Sequence, residues 1–224
     1  MLPARFHRRS HAFTLLELLV VIALIAVLAS FTFGVIRSSK QGANLARARA
    51  ELSHLVQALE DYKRHYGDYP QTGPSAANSQ RVTGTAGPGL NTAAARLFNA
   101  LIGVYGPTNF NTRLNGPKLV DIGKLAVERP LATATFAVAS GSPPTKTPEN
   151  NAFLDPWGNR YLYFYKAVTP GGGAPPQWNA PSFVLYSAGP DGAATTLPNA
   201  LGIFSGTTQT TGDNADNVYA DKLP

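Results

Sequence analysis

The sequence predicts an α+β fold: one long N-terminal helix, then a head made of a small antiparallel sheet with long loops. Three observations carry that expectation. Phe13 to Ile36 is almost wholly apolar, and beyond it apolar residues recur at helical spacing, at Leu45, Ala48, Leu52, Leu55, Leu59, Tyr62 and Tyr66. No proline interrupts the chain between Phe13 and Tyr69. Further on, Arg160 to Ala167 (RYLYFYKA) and Ser182 to Ser187 (SFVLYS) are short runs rich in aromatic residues, which favour strands.

Taken in order, Met1 to Ala12 is a short basic leader holding Arg5, Arg8 and Arg9. Leu18 to Ile36 carries no charge and is long enough to cross a bilayer as a helix. Basic residues flank it on both sides, so the positive-inside rule does not orient it. Two readings compete for this stretch. One is a secretory signal cut after Val27-Leu28-Ala29, leaving Ser30 first. The other is a retained membrane helix. A carboxylate at Glu17 opposes insertion of a short signal, and the helical periodicity runs on past Ala29, so the retained helix is the better reading. Gly34 and Gly42 are its weakest points.

Tyr66-Gly67-Asp68-Tyr69-Pro70 ends the helix, with Gly67 as the C-terminal cap residue and Pro70 as the stop. Thr72 to Pro88 reads as loop, and Ala93 to Ile102 as a short helix with Leu97, Phe98 and Leu101 on one face. Leu131 to Val138 is a strand candidate within a weakly periodic region. Thr169 to Pro181 is too rich in proline and glycine for a tight hairpin turn, and Gly189 to Pro224 reads mostly as polar loop.

Bulk composition excludes several functions. Nearly all of the net charge of +6 lies in the leader and the helix. From Gly67 onward ten Lys/Arg face nine Asp/Glu, with no basic stripe of interleaved aromatics, so nucleic-acid binding is not expected. The chain has no cysteine, which removes disulfides, Cys-ligated zinc and thiol nucleophiles. The four histidines, His7, His11, His54 and His65, have no metal-site spacing, and no nucleophile elbow or phosphate-binding loop occurs. No enzymatic activity is expected.

The residue with chemistry to explain is Glu17. A lone carboxylate in an apolar helix needs a partner, a proton or access to the interface. It stands one helical turn after Phe13. A cut before Phe13 would create an α-ammonium at that helix end, which a neighbouring copy's Glu17 could neutralise. Snorkelling to the membrane surface is the plain alternative.

Ala12-Phe13-Thr14-Leu15-Leu16-Glu17, followed by LLVVIALIAVLA, resembles the signal of type IV pilin-like proteins. The resemblance implies cleavage between Ala12 and Phe13 by a prepilin peptidase and N-methylation of Phe13, although that family usually has Gly where Ala12 stands. It also implies a pilin-like fold, with the helix packed on the sheet of the head. Tyr66 to Pro70, Leu154-Asp155-Pro156-Trp157-Gly158-Asn159-Arg160-Tyr161 and Tyr186-Ser187-Ala188-Gly189-Pro190-Asp191-Gly192 are similar, in that order, to the major pseudopilin of type II secretion. Read on their own, these strings are structural. Asp155-Pro156 starts a turn, Gly158 and Asn159 tolerate positive φ, and Trp157 fills the core.

On this resemblance the chain divides into a leader (1–12), a transmembrane assembly helix (13–36), an amphipathic helix (37–66) and a periplasmic head (67–224). The head comprises a long insertion (71–150), the pseudopilin-like core (152–192) and an acidic C-terminal loop (193–224). The partners implied are further copies in a helical homopolymer, minor pseudopilins, and an inner-membrane assembly platform with its ATPase. The location implied is the inner membrane, N-terminus cytoplasmic and head periplasmic, then a periplasmic filament. A type IV pilus subunit is the alternative within the family. An exported binding protein cut near Ala29 is the alternative outside it.

Asp191 follows a strand candidate, and Asp213-Asn214-Ala215-Asp216-Asn217 lies downstream. Loop carboxylates, amides and carbonyls can supply the six to eight oxygens that calcium takes. An Asp-Gly turn and a solvated tail explain the same residues without a metal. The resemblance favours calcium, with Asp191 and Asp213 as ligands and Asp216 as a third.

Overall fold

The computed structural model describes residues 14–72, 87–90, 92–107, 113–130, 138–139, 145–166, 178–194, 197–199, 201–204, 206 and 210–220; within these, side chains 31–38 and 138–139 are outside the description. The architecture is α+β, with two α-helices and small antiparallel sheets. The chain divides into two compact units, residues 1–43 and 44–224.

Helix α1, Leu15–Tyr66, contributes residues to both units. Thr14 caps its start: the Thr14 Oγ1 accepts the Glu17 N–H at 3.2 Å. In the first unit the apolar side chains of α1 are uncovered, from Leu15 at 81% exposure to Leu28 at 67%. No helix among the described residues is long and apolar enough to cross a membrane; part of the expected span, 31–36, is outside the side chains described. α1 is helical without a break through Val27-Leu28-Ala29-Ser30.

In the second unit the periodic face of α1 is the spine of the core. Leu52, Leu55, Ala58, Leu59 and Tyr62 are buried together with Tyr161, Tyr163, Leu185 and Val218, and with Leu97, Phe98 and Leu101 of α2 (Ala93–Leu101). Thr92 caps α2 through its hydroxyl, which accepts the Ala95 N–H at 3.3 Å. Two polar bonds fix α1 in this core. The Tyr62 hydroxyl donates to the Tyr105 carbonyl at 2.8 Å. The Tyr161 hydroxyl donates to Glu51 Oε2 at 2.8 Å, and Arg47 donates to the other carboxylate oxygen at 2.7 Å. Glu51 is therefore a paired buried acid at 5% exposure, on a face that periodicity alone reserves for apolar residues.

α1 ends at Tyr66, with Gly67 at φ +86° and its N–H bonded to the Lys63 carbonyl. Lys63, Arg64 and His65 occupy the last turn, where cations complement the helix dipole.

Short strands follow: β1 (Ala126–Val127), β2 (Val138–Ala139), β3 (Thr145–Lys146), β4 (Phe153–Leu154), β5 (Leu162–Phe164), β6 (Val184–Ser187) and β7 (Val218–Tyr219). β1 pairs with β4, β2 with β3, and β5-β6-β7 form a three-stranded antiparallel sheet. Its register sets Tyr163 opposite Leu185 and Tyr186 opposite Tyr219. Side chains alternate across it. Tyr161, Tyr163 and Leu185 face the α1 core, while Leu162, Tyr186 and Tyr219 form a second cluster with Ala188, Ala194 and Phe204. Both faces of this small sheet are thus covered.

β5 and β6 lie inside the two expected strands. β7 lies in the segment expected to be loop. Of the candidate strand Leu131 to Val138, residues 131–137 are outside the description. Shortly after β5, Lys166 is the one non-glycine residue at positive φ (+28°) among those described. Lys166 Nζ pairs with Asp68 Oδ2 at 2.9 Å and sits over the Tyr165 ring.

Candidate functional site

The site with the most connected polar chemistry joins the turn after β4 to the loop after β6. Asp155 begins it. Its Oδ1 accepts the N–H groups of Trp157 (3.0 Å) and Asn159 (2.8 Å), which folds Asp155-Pro156-Trp157-Gly158-Asn159 into a tight turn. Its Oδ2 accepts the Ser187 hydroxyl at 2.5 Å. Asp155 is buried; burial pushes its carboxyl up, against the lowering effect of the hydrogen bonds from Ser187, Asn159 and Trp157. Gly158 adopts φ +87°, as the sequence suggests, whereas Asn159 does not take positive φ and uses its amide instead. Trp157 is half-buried against the core rather than filling it.

Ser187 passes the connection on. Its Oγ accepts the Gly189 N–H at 3.1 Å. The Asn159 Nδ2 donates to the Gly189 carbonyl at 3.0 Å, and the Gly192 N–H reaches the same carbonyl at 3.3 Å. Two glycines are required here. A Cβ on Gly189 (φ +68°) would stand 2.6 Å from the Asp216 carbonyl oxygen and 2.9 Å from Asp216 Oδ2. A Cβ on Gly192 (φ +64°) would stand 2.6 Å from Asn159 Oδ1.

Asp191 lies between these glycines. Its carboxylate accepts the Ala193 N–H at 2.8 Å, and its own N–H donates to Asp216 Oδ2 at 3.4 Å. Asp191 and Asp216 are therefore neighbours although 25 residues apart in sequence. Asp213 is exposed on the 3-10 turn Gly212–Asn214. Among the described residues no three His, Cys, Asp or Glu side chains gather as a metal-holding group. Beside Asp216, Asn217 Nδ2 donates to Asn214 Oδ1 and to the Tyr219 hydroxyl, each at 3.2 Å, while its Oδ1 is inaccessible to solvent and accepts no hydrogen bond. Such an oxygen suits a cation or a donor.

Glu17 sits in the first turn of α1, exposed, with Thr14 Oγ1 at 3.5 Å from its Oε2. Ala12 and Phe13 are outside the description. Elsewhere a cleft of about 530 Å³ is lined by Val56, Glu60, Phe183, Val184, Ile203 and Phe204. Glu60, its one acid, accepts the Tyr69 hydroxyl at 2.6 Å.

Sequence reasoning singled out both loop strings but not the contact between them. Ser187 and the Asn159 amide were missed because a serine in a strand and an asparagine in a turn have ordinary local uses. Their adjacency in two strings already singled out was the signal available.

No curated protein and no solved structure matches the chain. Residues 7–33 match the family described as Prokaryotic N-terminal methylation motif. That stretch spans the second half of the leader, Phe13, Glu17 and most of the apolar run, and it gives the chain a type IV pilin-like prepilin signal.

Proposed function

We propose that this protein is a major-type pseudopilin of a type II secretion system, a structural subunit and not an enzyme, that polymerises through α1 into a periplasmic filament. The methylation motif over residues 7–33, with Glu17 one turn into an apolar helix, supports the pilin-type part of this reading. The resemblance of the Asp155-Pro156-Trp157-Gly158-Asn159 string and the acidic loop, with no cysteine pair, favours the secretion pseudopilin over the pilus subunit. The prepilin peptidase cuts between Ala12 and Phe13 and methylates the new amine. Phe13 to Ile36 rests in the inner membrane with the head in the periplasm. The assembly platform and its ATPase then draw the helix into a filament of further copies, alongside minor pseudopilins. Apolar side chains uncovered along the start of α1 support this, since lipid or neighbouring helices must cover them. Glu17 sets register against the methylated amine of a neighbouring Phe13. A helix face buried against a three-stranded antiparallel sheet supports a pilin-like head.

Calcium belongs to the same reading. The neighbouring carboxylates of Asp191 and Asp216 offer oxygen-only donor chemistry of the kind a hard divalent cation takes. Asp191 and Asp213, with Asp216 as a third, would hold the ion together with backbone carbonyls, which requires the exposed Asp213 turn to move in towards the other two. Bound calcium would close the loop after β6 onto the segment before β7, giving a cysteine-free head a cross-link.

Mass spectrometry of the mature protein tests the core of the proposal. An N-terminal methyl-Phe13 is expected, and a mature chain beginning at Ser30 would overturn it. Disruption of the gene separates the two family readings: loss of protein secretion with surface pili retained is expected, whereas loss of pili alone makes the protein a pilus subunit.

A further inference from the structure

We propose that the cleft beside β6 takes an extended segment of a partner protein, added as a strand and carrying one basic side chain between apolar ones. The sheet leaves room for it. β5 pairs with Val184, Leu185 and Tyr186 of β6, whereas β7 ends at Tyr219 and pairs with Tyr186 and Ser187 alone. Among the described residues, Val184 and Leu185 therefore have a neighbouring strand on one side only. Both line the cleft of about 530 Å³, as does Ala220, the residue after β7. The cleft thus continues the place that β7 vacates, and an open strand edge is a template for an added extended chain.

Opposite residues of an antiparallel pair share a face of the sheet, and successive residues alternate between faces. The two walls of the cleft differ accordingly. On one face Val56 of α1, Phe183 and Ala220 pack against the α1 core, and Glu60 stands one helical turn beyond Val56. Glu60 is exposed. Its Oε1 accepts the Tyr69 hydroxyl at 2.6 Å, the Tyr69 ring lies edge-on to Phe183 at 4.9 Å, and Oε2 has no donor among the described residues. On the other face Val184 and Phe204 belong to the second cluster, and Ile203 is 44% exposed. A side chain opposite Leu185 or Phe183 faces α1 and Glu60, and one opposite Val184 faces Phe204 and Ile203. Lysine or arginine suits the first, because a carboxylate with an unshared oxygen takes a charge-assisted hydrogen bond. An apolar residue suits the second. The chain's own continuation does not fit this pattern: carried on in the β7 register, it would set Asp221 opposite Val184, on the apolar side.

The test is fluorescence anisotropy of a labelled pentapeptide, serine-leucine-lysine-leucine-serine, titrated with the full chain held in detergent. Saturable binding is expected, and a peptide with glutamate in place of lysine should not bind. Glu60→Gln, which keeps an acceptor for Tyr69, should bind the lysine peptide about tenfold more weakly, the scale of one hydrogen bond to a charged group. Glu60→Lys should reverse the preference and favour the glutamate peptide. Methylation of the peptide's backbone nitrogens at alternate residues separates strand pairing from mere contact: one phase blocks binding and the other is tolerated. No binding of the lysine peptide, equal binding of both peptides, unchanged affinity in Glu60→Gln, or equal effects of the two methylation phases overturns the proposal. Binding seen only when the chain ends at Ala220 makes residues 221–224 the occupant. Binding that weakens as protein concentration rises makes a second copy the occupant. Either result overturns the proposal as well.

Discussion

Replacing Asp155 by alanine should be the most damaging single change in the turn after β4. Its carboxylate accepts three hydrogen bonds at 2.5–3.0 Å, from Ser187, Trp157 and Asn159, and is 2% exposed. Each bond to a charged acceptor contributes about 1.5–3 kcal/mol. The sum overstates the loss, because alanine also removes the cost of keeping a carboxylate out of water. What remains is three donors without an acceptor, and a net loss of about 3–5 kcal/mol is expected. In a domain of this size that lowers the melting temperature by roughly 10 °C. Asp155→Asn keeps one oxygen but turns an amide N–H₂ towards a donor, so about half the loss is expected. Urea titration of the full chain in detergent, followed by circular dichroism, measures both. An Asp155→Ala protein within about 1 kcal/mol of wild type would show that Asp155 does not organise the turn.

Glu17→Ala should insert into the membrane as the wild type does but fail to form filaments; membrane fractionation and electron microscopy check this, and normal filaments would remove the register role. Tyr161→Phe deletes the neutral donor to Glu51 and leaves Arg47 as its partner. A loss of about 1.5–3 kcal/mol is expected by urea titration, and an unchanged midpoint would refute the pinning of α1 by that bond. Asp68 is pushed up by burial, but hydrogen bonds from Tyr165, Lys166 and the Tyr69 N–H outweigh it and hold its carboxyl below the ordinary value. A depressed carboxyl contributes stability above its unfolded value, about 3.9, that is lost as pH falls through the folded one. Wild-type stability should therefore drop below about pH 4 more steeply than that of Asp68→Asn, and parallel curves would contradict the assignment.

The helical part of the fold was legible because periodicity extends over many turns. Leu45 to Tyr66 repeat their spacing often enough to identify a buried face, and that face forms the core. Arg160 to Ala167 and Ser182 to Ser187 were legible as strands because aromatic residues cluster there. β1, β4 and β7 were not, since a two-residue strand has no period to read and is fixed by its partner. Val218 and Tyr219 stand in a polar segment, yet one reaches the α1 core and the other stacks on Tyr186. The same limit applies to the candidate loop. Spacing brought Asp191, Asp213 and Asp216 to attention, but only the path of the chain brings Asp216 to Asp191 and leaves Asp213 on an exposed turn. Glu51 shows the converse: its partner Tyr161 is 110 residues away, so no local pattern could have placed a charge in the core.

The end of β5 is held by the pair that Lys166 forms with Asp68. A non-glycine residue at φ +28° holds its backbone where side chains are crowded, at a cost of about 1–3 kcal/mol. Asp68, one residue beyond the Gly67 cap of α1, grips the Lys166 ammonium at 2.9 Å and keeps it there. This ion pair ties the residue after the α1 cap to the end of β5. Both groups are partly exposed, so dissolved salt weakens the grip. Raised ionic strength then loosens this tie between the end of α1 and the end of β5, while the uncharged aromatic core beside it stays packed.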